Sequence, residues 1–268
     1  MSLYPFHHPD ICPTVIRRCA TDTLLDLIAS GLQITTSRGK CLWGTWSSSE
    51  SAYYSAVSRL RKKGLVAERG GEGRAPVFEL TAEGRTRVSE VCSRREPWAR
   101  KWNGIWYQIA YDVPEAERAT REVLRAFLKR LRLGCLQKSV WVTPKDIRPD
   151  YADLVQASRI DLFSVLFECR TVLNRPAAEI VRMAWDMDRL RRGQEWYLQV
   201  CEENLARARA GTLSRNMLYA LAGEELNAYV TVMKDDPLLP RPLWPAGYKG
   251  DEVWRFHRHF TAEWSKIA

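Results

Sequence analysis

The sequence predicts an α+β fold, and three stretches predict it. Residues 102–143 read as strand, helix, strand. Residues 49–80 read as a helix followed by two short strands around a glycine-rich turn. From Pro176 onward the apolar residues recur at helical spacing almost to the end of the 268-residue chain. The expected architecture is an N-terminal winged helix-turn-helix over residues 1–96, a central ferredoxin-like split βαβ domain over 97–173 and a helical domain over 174–268.

In the first part, Pro13 opens a helix in which Ile16, Ala20, Leu24, Leu27 and Ile28 share a stripe, and Gly31 stops it. Gly39, Gly44 and Ser47-Ser48-Ser49 argue against one long helix across 32–48, leaving room for a short second one. Ser49 or Ser51 can cap the next helix, which buries Tyr53, Ala56, Val57 and Leu60 and ends at Gly64. Its outer face carries Ser51, Tyr54, Ser55, Ser58, Arg59 and Lys62. Residues 65–69 and 76–80 form a hairpin around Gly70-Gly71-Glu72-Gly73-Arg74, and Thr81 caps a helix running through Val91. A small, polar and basic helix face can enter the major groove, where side chains meet base edges. The hairpin arginines, Arg69 and Arg74, can lie along phosphates. The DNA-binding residues expected are therefore Ser51, Tyr54, Ser55, Ser58, Arg59, Lys62, Arg69 and Arg74. Residues 94–101, with Pro97, form a charged connector.

In the central part, Ile105–Tyr111 is aromatic and β-branched, as a half-buried strand requires. Asp112 and Pro114 end it. Residues 115–132 follow with helical period, placing Val123, Leu124, Phe127, Leu128 and Leu131 on one stripe, and Leu133-Gly134 reads as a stop. Ser139–Val142 is a second strand, residues 151–158 a helix and 163–168 a strand.

In the last part, Pro176 begins a long helical region with Ile180, Val181, Ala184, Met187 and Leu190 on one stripe, continued by Tyr197, Val200, Cys201 and Leu205. Asp186 and Asp188 lie two apart and cannot share a helix face, which fits capping or ion pairing better than a catalytic pair. Ser214–Met233 is another helix, broken by 235–240. Residues 244–250 form a turn, and Glu252–Phe260 a last helix.

The net charge is +9, and it is uneven: residues 1–101 hold 16 Lys+Arg against 10 Asp+Glu, while 102–268 hold 25 against 22. The surplus of +6 on the shorter part favours a polyanionic partner there. The seven cysteines form no CxxC and are odd in number, which excludes a zinc ribbon or a disulfide framework and fits reduced thiols. No apolar run approaches a membrane span, and Met1–Asp10 has no signal pattern, so a cytoplasmic protein without a membrane partner is expected. No Walker loop, GxGxxG or nucleophile–base phrase appears, so neither an enzyme nor a bound cofactor is expected.

Wording narrows the reading further. Tyr111-Asp112-Val113-Pro114, then Arg118, Arg121, Gly134 and Gln137-Lys138-Ser139-Val140-Trp141, resembles two groups. One is the small ferredoxin-like CRISPR adaptation and nuclease subunit, in which the aspartate at the strand end is a candidate metal ligand; here that is Asp112. The other is the central domain of the PaaX family, repressors of phenylacetic acid degradation. Arg59-Leu60, Gly64-Leu65 and Phe78-Glu79-Leu80-Thr81-x-x-Gly84 resemble the PaaX amino-terminal domain, which commonly has an arginine where this chain has Tyr54. Ala184-Trp185-Asp186-Met187-Asp188-Arg189-Leu190 and Asp236-Pro237-x-Leu239-Pro240 resemble later PaaX phrases, the second followed by a turn that matches only in part. Resemblance runs nearly the length of the chain, whereas the CRISPR subunit matches residues 104–143 alone. It implies a homodimeric repressor bound to double-stranded operator DNA and released by an aryl-acyl-coenzyme A, phenylacetyl-coenzyme A being the prototype. Trp141, Trp185, Trp196, Tyr197, Trp244, Tyr248 and Trp254 are candidates for the aryl site. The alternative is a metal-dependent nuclease or nucleic-acid-processing subunit built on the central domain, with Asp112 as its one visible acid.

Overall fold

A computed structural model describes residues 28, 50–69, 77–87, 96–158, 160–211 and 213–267. The elements considered are α1 (Glu50–Lys62), β1 (Val66–Arg69), β2 (Val77–Leu80) and α2 (Ala82–Arg87), followed by β3 (Trp106–Tyr111), α3 (Arg118–Arg130), β4 (Gly134–Gln137), β5 (Val140–Thr143), α4 (Arg148–Ser158) and β6 (Ser164–Cys169). Then come α5 (Ala177–Ala184), α6 (Met187–Arg209), α7 (Arg215–Lys234) and α8 (Gly250–Ile267). The mixture is α+β. The chain divides into two compact units: Met1–Pro97 with Arg192–Lys234 and Lys249–Ala268, and Trp98–Arg191 with Asp235–Tyr248. The expected segment 174–268 is thus shared between the two.

The second unit is built on a four-stranded antiparallel sheet in the order β4-β5-β3-β6. With α3 between β3 and β4 and α4 between β5 and β6, this is the βαββαβ order of a ferredoxin-like fold. Period-two alternation gives each face of β3 its own task. Ile105, Tyr107, Ile109 and Tyr111 pack with Trp141 against Leu124, Phe127 and Leu128 of α3, with Tyr151, Leu154 and Val155 of α4 at the margin. Trp106 and Val142 face the opposite way, onto Ile180, Val181 and Ala184 of α5 and onto Leu239 and Leu243. Beyond that cover, Val165 and Phe167 on the same face stay exposed.

Three expectations need correction. The helix after β3 does not lead straight to a neighbouring strand. It leads to β4, an edge strand of four residues with an irregular register near Cys135, whose length and mixed burial left no alternation to read. Gly134 is not the helix stop: Arg132 takes the left-handed conformation, φ 64°, that closes the helix, and Gly134 begins β4. Gly134 is there for another reason, since a Cβ would lie 2.5 Å from Ala184 Cβ and 2.6 Å from the Trp185 ring. Val123 points outward, 58% exposed, because the helix buries the narrower stripe Leu124, Phe127 and Leu128. The long helical region expected after Pro176 is present as two helices, α5 and α6, separated where Trp185 is extended, φ −131° and ψ 144°. Asp186 restarts the chain as a cap, its carboxylate accepting from the Arg189 amide at 3.0 Å, and Asp188 pairs with Arg191 at 3.4 Å.

A brace fixes residues 235–248 within this unit. Buried Asp236 accepts from the Leu238 amide at 2.7 Å and from the Tyr248 hydroxyl at 2.7 Å. Its carbonyl accepts from the Arg132 guanidinium, and the Leu238 carbonyl from Arg100 at 2.9 Å. Trp98 meets both Trp244 and Tyr248 edge-on. The Asp236-Pro237-x-Leu239-Pro240 phrase therefore ties the connector, the α3–β4 turn and the 244–248 turn together.

Candidate functional site

Helix α1 and the β1–β2 hairpin form one local assembly. Ala56 and Leu60 are fully buried on the inner stripe of α1, with Val57 partly so. Gly64 closes the helix at φ 67°, and Leu65 turns back with its amide on the Leu60 carbonyl. Strands β1 and β2 pair antiparallel, Val66 opposite Leu80 and Arg69 opposite Val77. Thr81 ties the pieces: its hydroxyl donates to the Gly64 carbonyl at 2.6 Å and accepts from the Gly84 amide at 2.9 Å, capping α2. Gly84 lies so close to the Leu65 carbonyl that a Cβ would sit 1.9 Å from its oxygen. The Thr81-x-x-Gly84 phrase is thus the clamp between the helix end and the hairpin.

The outward face of α1 holds Tyr54, Ser55, Ser58, Arg59 and Lys62, all exposed. On a helix these positions, with Ser51, fall within an arc of roughly 140°, so one groove can meet them together. Ser51 lies on α1, but its side chain is outside the described residues, as are Arg74, the hairpin tip and the two preceding helices of the expected helix-turn-helix. Arg59 and Lys62 form no ion pair among the described residues, leaving their charges available to an anion. Arg61 pairs with Glu68 at 3.2 Å. Arg69 pairs with Glu79 at 3.2 Å while remaining 81% exposed, an exposed pair that costs little to exchange for a phosphate.

Asp112 stands at the end of β3, where its amide donates to the Phe163 carbonyl at 2.8 Å. Its side chain is exposed. Among the described residues the carboxylate caps no helix, and no group of three metal-ligating side chains forms around it or elsewhere. The candidate aromatics separate by place. Trp141 belongs to the sheet core, Tyr197 to the interior of the first unit, and Trp244 packs with Trp98. Trp196 and Trp254 are only half-buried. Trp185 and Tyr248 border an open cleft.

Sequence reasoning missed a buried polar group in the first unit. The Tyr197 hydroxyl donates to Glu225, which also takes His257 Nδ1 at 2.9 Å and 3.1 Å on its two oxygens. Tyr229 stacks flat on the His257 ring, centroids 3.8 Å apart. Burial first, then the Glu225 charge, pushes both the Tyr197 hydroxyl and the Cys201 thiol well above their ordinary values. The three residues lie on α6, α7 and α8, 28 and 32 positions apart. No local pattern could have joined them. The available signal was two acids, Glu224 and Glu225, midway along a mainly apolar helix.

Residues 99–181 match the family model described as the PaaX protein central Cas2-like domain. No curated protein matches the chain. Among solved structures the chain is similar to the uncharacterized protein Rv0674 from Mycobacterium tuberculosis, at 19% identity and a TM-score of 0.57, over 92% of this chain and 96% of that one. That likeness is one of fold.

Proposed function

Because the chain carries the central domain of the PaaX family, we propose that it is a PaaX-like transcriptional repressor. The winged helix-turn-helix reads double-stranded operator DNA, the protein acts as a cytoplasmic homodimer, and an aryl-acyl-coenzyme A releases it. It is not an enzyme. The observation that carries the reading is the outward face of α1, polar and basic and without ion pairs at Arg59 and Lys62, beside a hairpin fastened to that helix. Such a face presents hydroxyls and an aromatic ring to base edges, with cations for flanking phosphates. No described helix is long and apolar enough to cross a membrane. Release by a ligand requires that the ligand prefer the non-binding state by about 5 kcal/mol for a near-complete switch, and DNA must weaken ligand binding by the same factor.

The test uses a fluorescently labelled duplex from the promoter region of the protein's own operon. Arg59→Ala with Lys62→Ala is expected to weaken binding, and loss of each phosphate contact should lower the salt slope by about one unit. Undiminished affinity in a double variant with an unchanged circular dichroism spectrum would overturn the assignment of α1 as the reading helix.

A further inference from the structure

An open cleft of the second unit has no role in the reading above. It encloses about 700 Å³ between α5, the start of α6 and the 245–248 turn, within the range of small-molecule sites. Trp185, Met183, Met187, Pro245 and Tyr248 supply its apolar walls, and Arg182 and Arg191 its cations.

Two features make this a built site rather than a surface irregularity. Its aromatic walls are held from behind. The Trp185 indole donates to the Arg132 carbonyl at 3.2 Å and packs where Gly134 lacks a side chain. The Tyr248 hydroxyl is fixed on buried Asp236, and its ring lies edge-on to Trp98. Both rings are therefore set in place before anything binds, so a ligand meeting them spends little on ordering them. The second feature is the charge at the mouth. Of the two lining carboxylates, Asp186 is occupied in capping α6 and Asp188 in pairing with Arg191. Arg182 is exposed and forms no ion pair or hydrogen bond among the described residues. The lining charges therefore cancel in number, two arginines against two aspartates, but the aspartates are turned to the α6 amide and to Arg191, which leaves Arg182 as the cation at the mouth without an ion pair among the described residues. Gly247, at φ 76°, leaves room for the Arg191 side chain, whose Cδ would lie 3.1 Å from a Cβ there.

We propose that this cleft binds an aromatic anion, the ring seated between Trp185 and Tyr248 and the anionic group held by Arg182 with Arg191 beside it. Apolar walls alone would take any hydrophobic group; the guanidiniums select one carrying a carboxylate or phosphate, the acceptors that their planar donors match best. Insofar as it names the effector's seat, the assignment rests on the regulatory reading above; as a ligand site it stands apart from it.

Isothermal titration calorimetry of the full chain with phenylacetate, coenzyme A and phenylacetyl-coenzyme A separates the sources of ring and anion. Titration with 1-anilinonaphthalene-8-sulfonate followed by fluorescence probes the cleft without reference to any effector. Two variants keep the supports intact: Ala246→Trp fills the cleft from an exposed turn position, and Arg182→Glu inverts the unpaired charge. Thermal unfolding of both variants is expected to match the parent. At least tenfold weaker binding of phenylacetyl-coenzyme A in each supports the site and the effector reading together. Weaker binding of the naphthalene sulfonate alone, with no coenzyme A thioester bound by the parent, supports the site and removes the thioester as effector. Unchanged affinity of both variants for the thioester, or no binding of any of the four probes by the parent, overturns the site. Binding of coenzyme A as tight as its phenylacetyl thioester overturns the role given to the aromatic walls.

Discussion

Gly134 illustrates how little of a residue's role its local sequence carries. In the chain it reads as a helix stop, because a glycine after a periodic stripe usually is one. In the fold Arg132 takes the positive φ, and Gly134 is the point where β4 passes under Trp185. The residues that forbid a side chain there are about fifty positions away, so no window of sequence includes them. Gly134→Ala should force the Trp185 ring aside, break its bond to the Arg132 carbonyl and destabilise the protein by about 2 to 3 kcal/mol. Urea unfolding followed by tryptophan fluorescence measures it, and a midpoint equal to the parent's would show that the ring can give way. Tyr54, Ser55, Ser58, Arg59 and Lys62 were legible for the opposite reason: their exposure follows from helical spacing alone. Arg69 was legible as exposed, but its ion pair with Glu79 depends on the hairpin register and was not.

At the scale of elements, the long amphipathic segments were readable and the short ones were not. The β3 strand, α3 and α1 declare themselves because four or five residues repeat one period. Strand β4, four residues with an irregularity at Cys135, repeats nothing. The break between α5 and α6 hid in a stripe that continues through it: Ile180, Val181, Ala184, Met187 and Leu190 all face one core although the backbone turns at Trp185. The capping signal at Asp186 was present but competed with an unbroken apolar pattern. Thr81 is the contrasting case, a cap read from sequence and found in place. Because it both caps α2 and donates to the Gly64 carbonyl, Thr81→Ala should cost about 1 to 2 kcal/mol and loosen the hairpin. Amide hydrogen exchange across Val66–Leu80 is expected to rise relative to the sheet of the second unit. Protection unchanged in β1 and β2 would argue that Gly84 packing alone holds them.

For the whole molecule, titration and assembly give two expectations. The Tyr197 and Cys201 protons are bound more tightly in the folded protein than in the unfolded chain, whose ordinary values are 10.0 and 9.0. Their contribution is therefore complete below about pH 9 and is lost as pH rises toward the raised folded values. Thermal midpoints should hold steady from neutral pH to about 9 and then fall, with Cys201→Ala moving the onset upward. A midpoint that stays level to pH 11 would contradict the burial argument. The second expectation is a homodimer, as two-fold operators require. Sedimentation at micromolar concentration tests it, and a monomer with and without DNA would refute the dimeric reading.

The division of the chain into two units has a further consequence, for the order in which they can be made. The first unit draws on three separate stretches, the last of them Lys249–Ala268, whereas the sheet needs nothing beyond Tyr248. On the ribosome, with roughly 5 to 20 residues added per second, α1 and its hairpin emerge first but wait roughly 8 to 30 s for their remaining partners. The ferredoxin-like sheet can close in the interval. A nascent chain stalled once Tyr248 has left the ribosome should therefore protect β3 and β5 from protease while α1 is still cleaved, the reverse of the order in which the two are encoded.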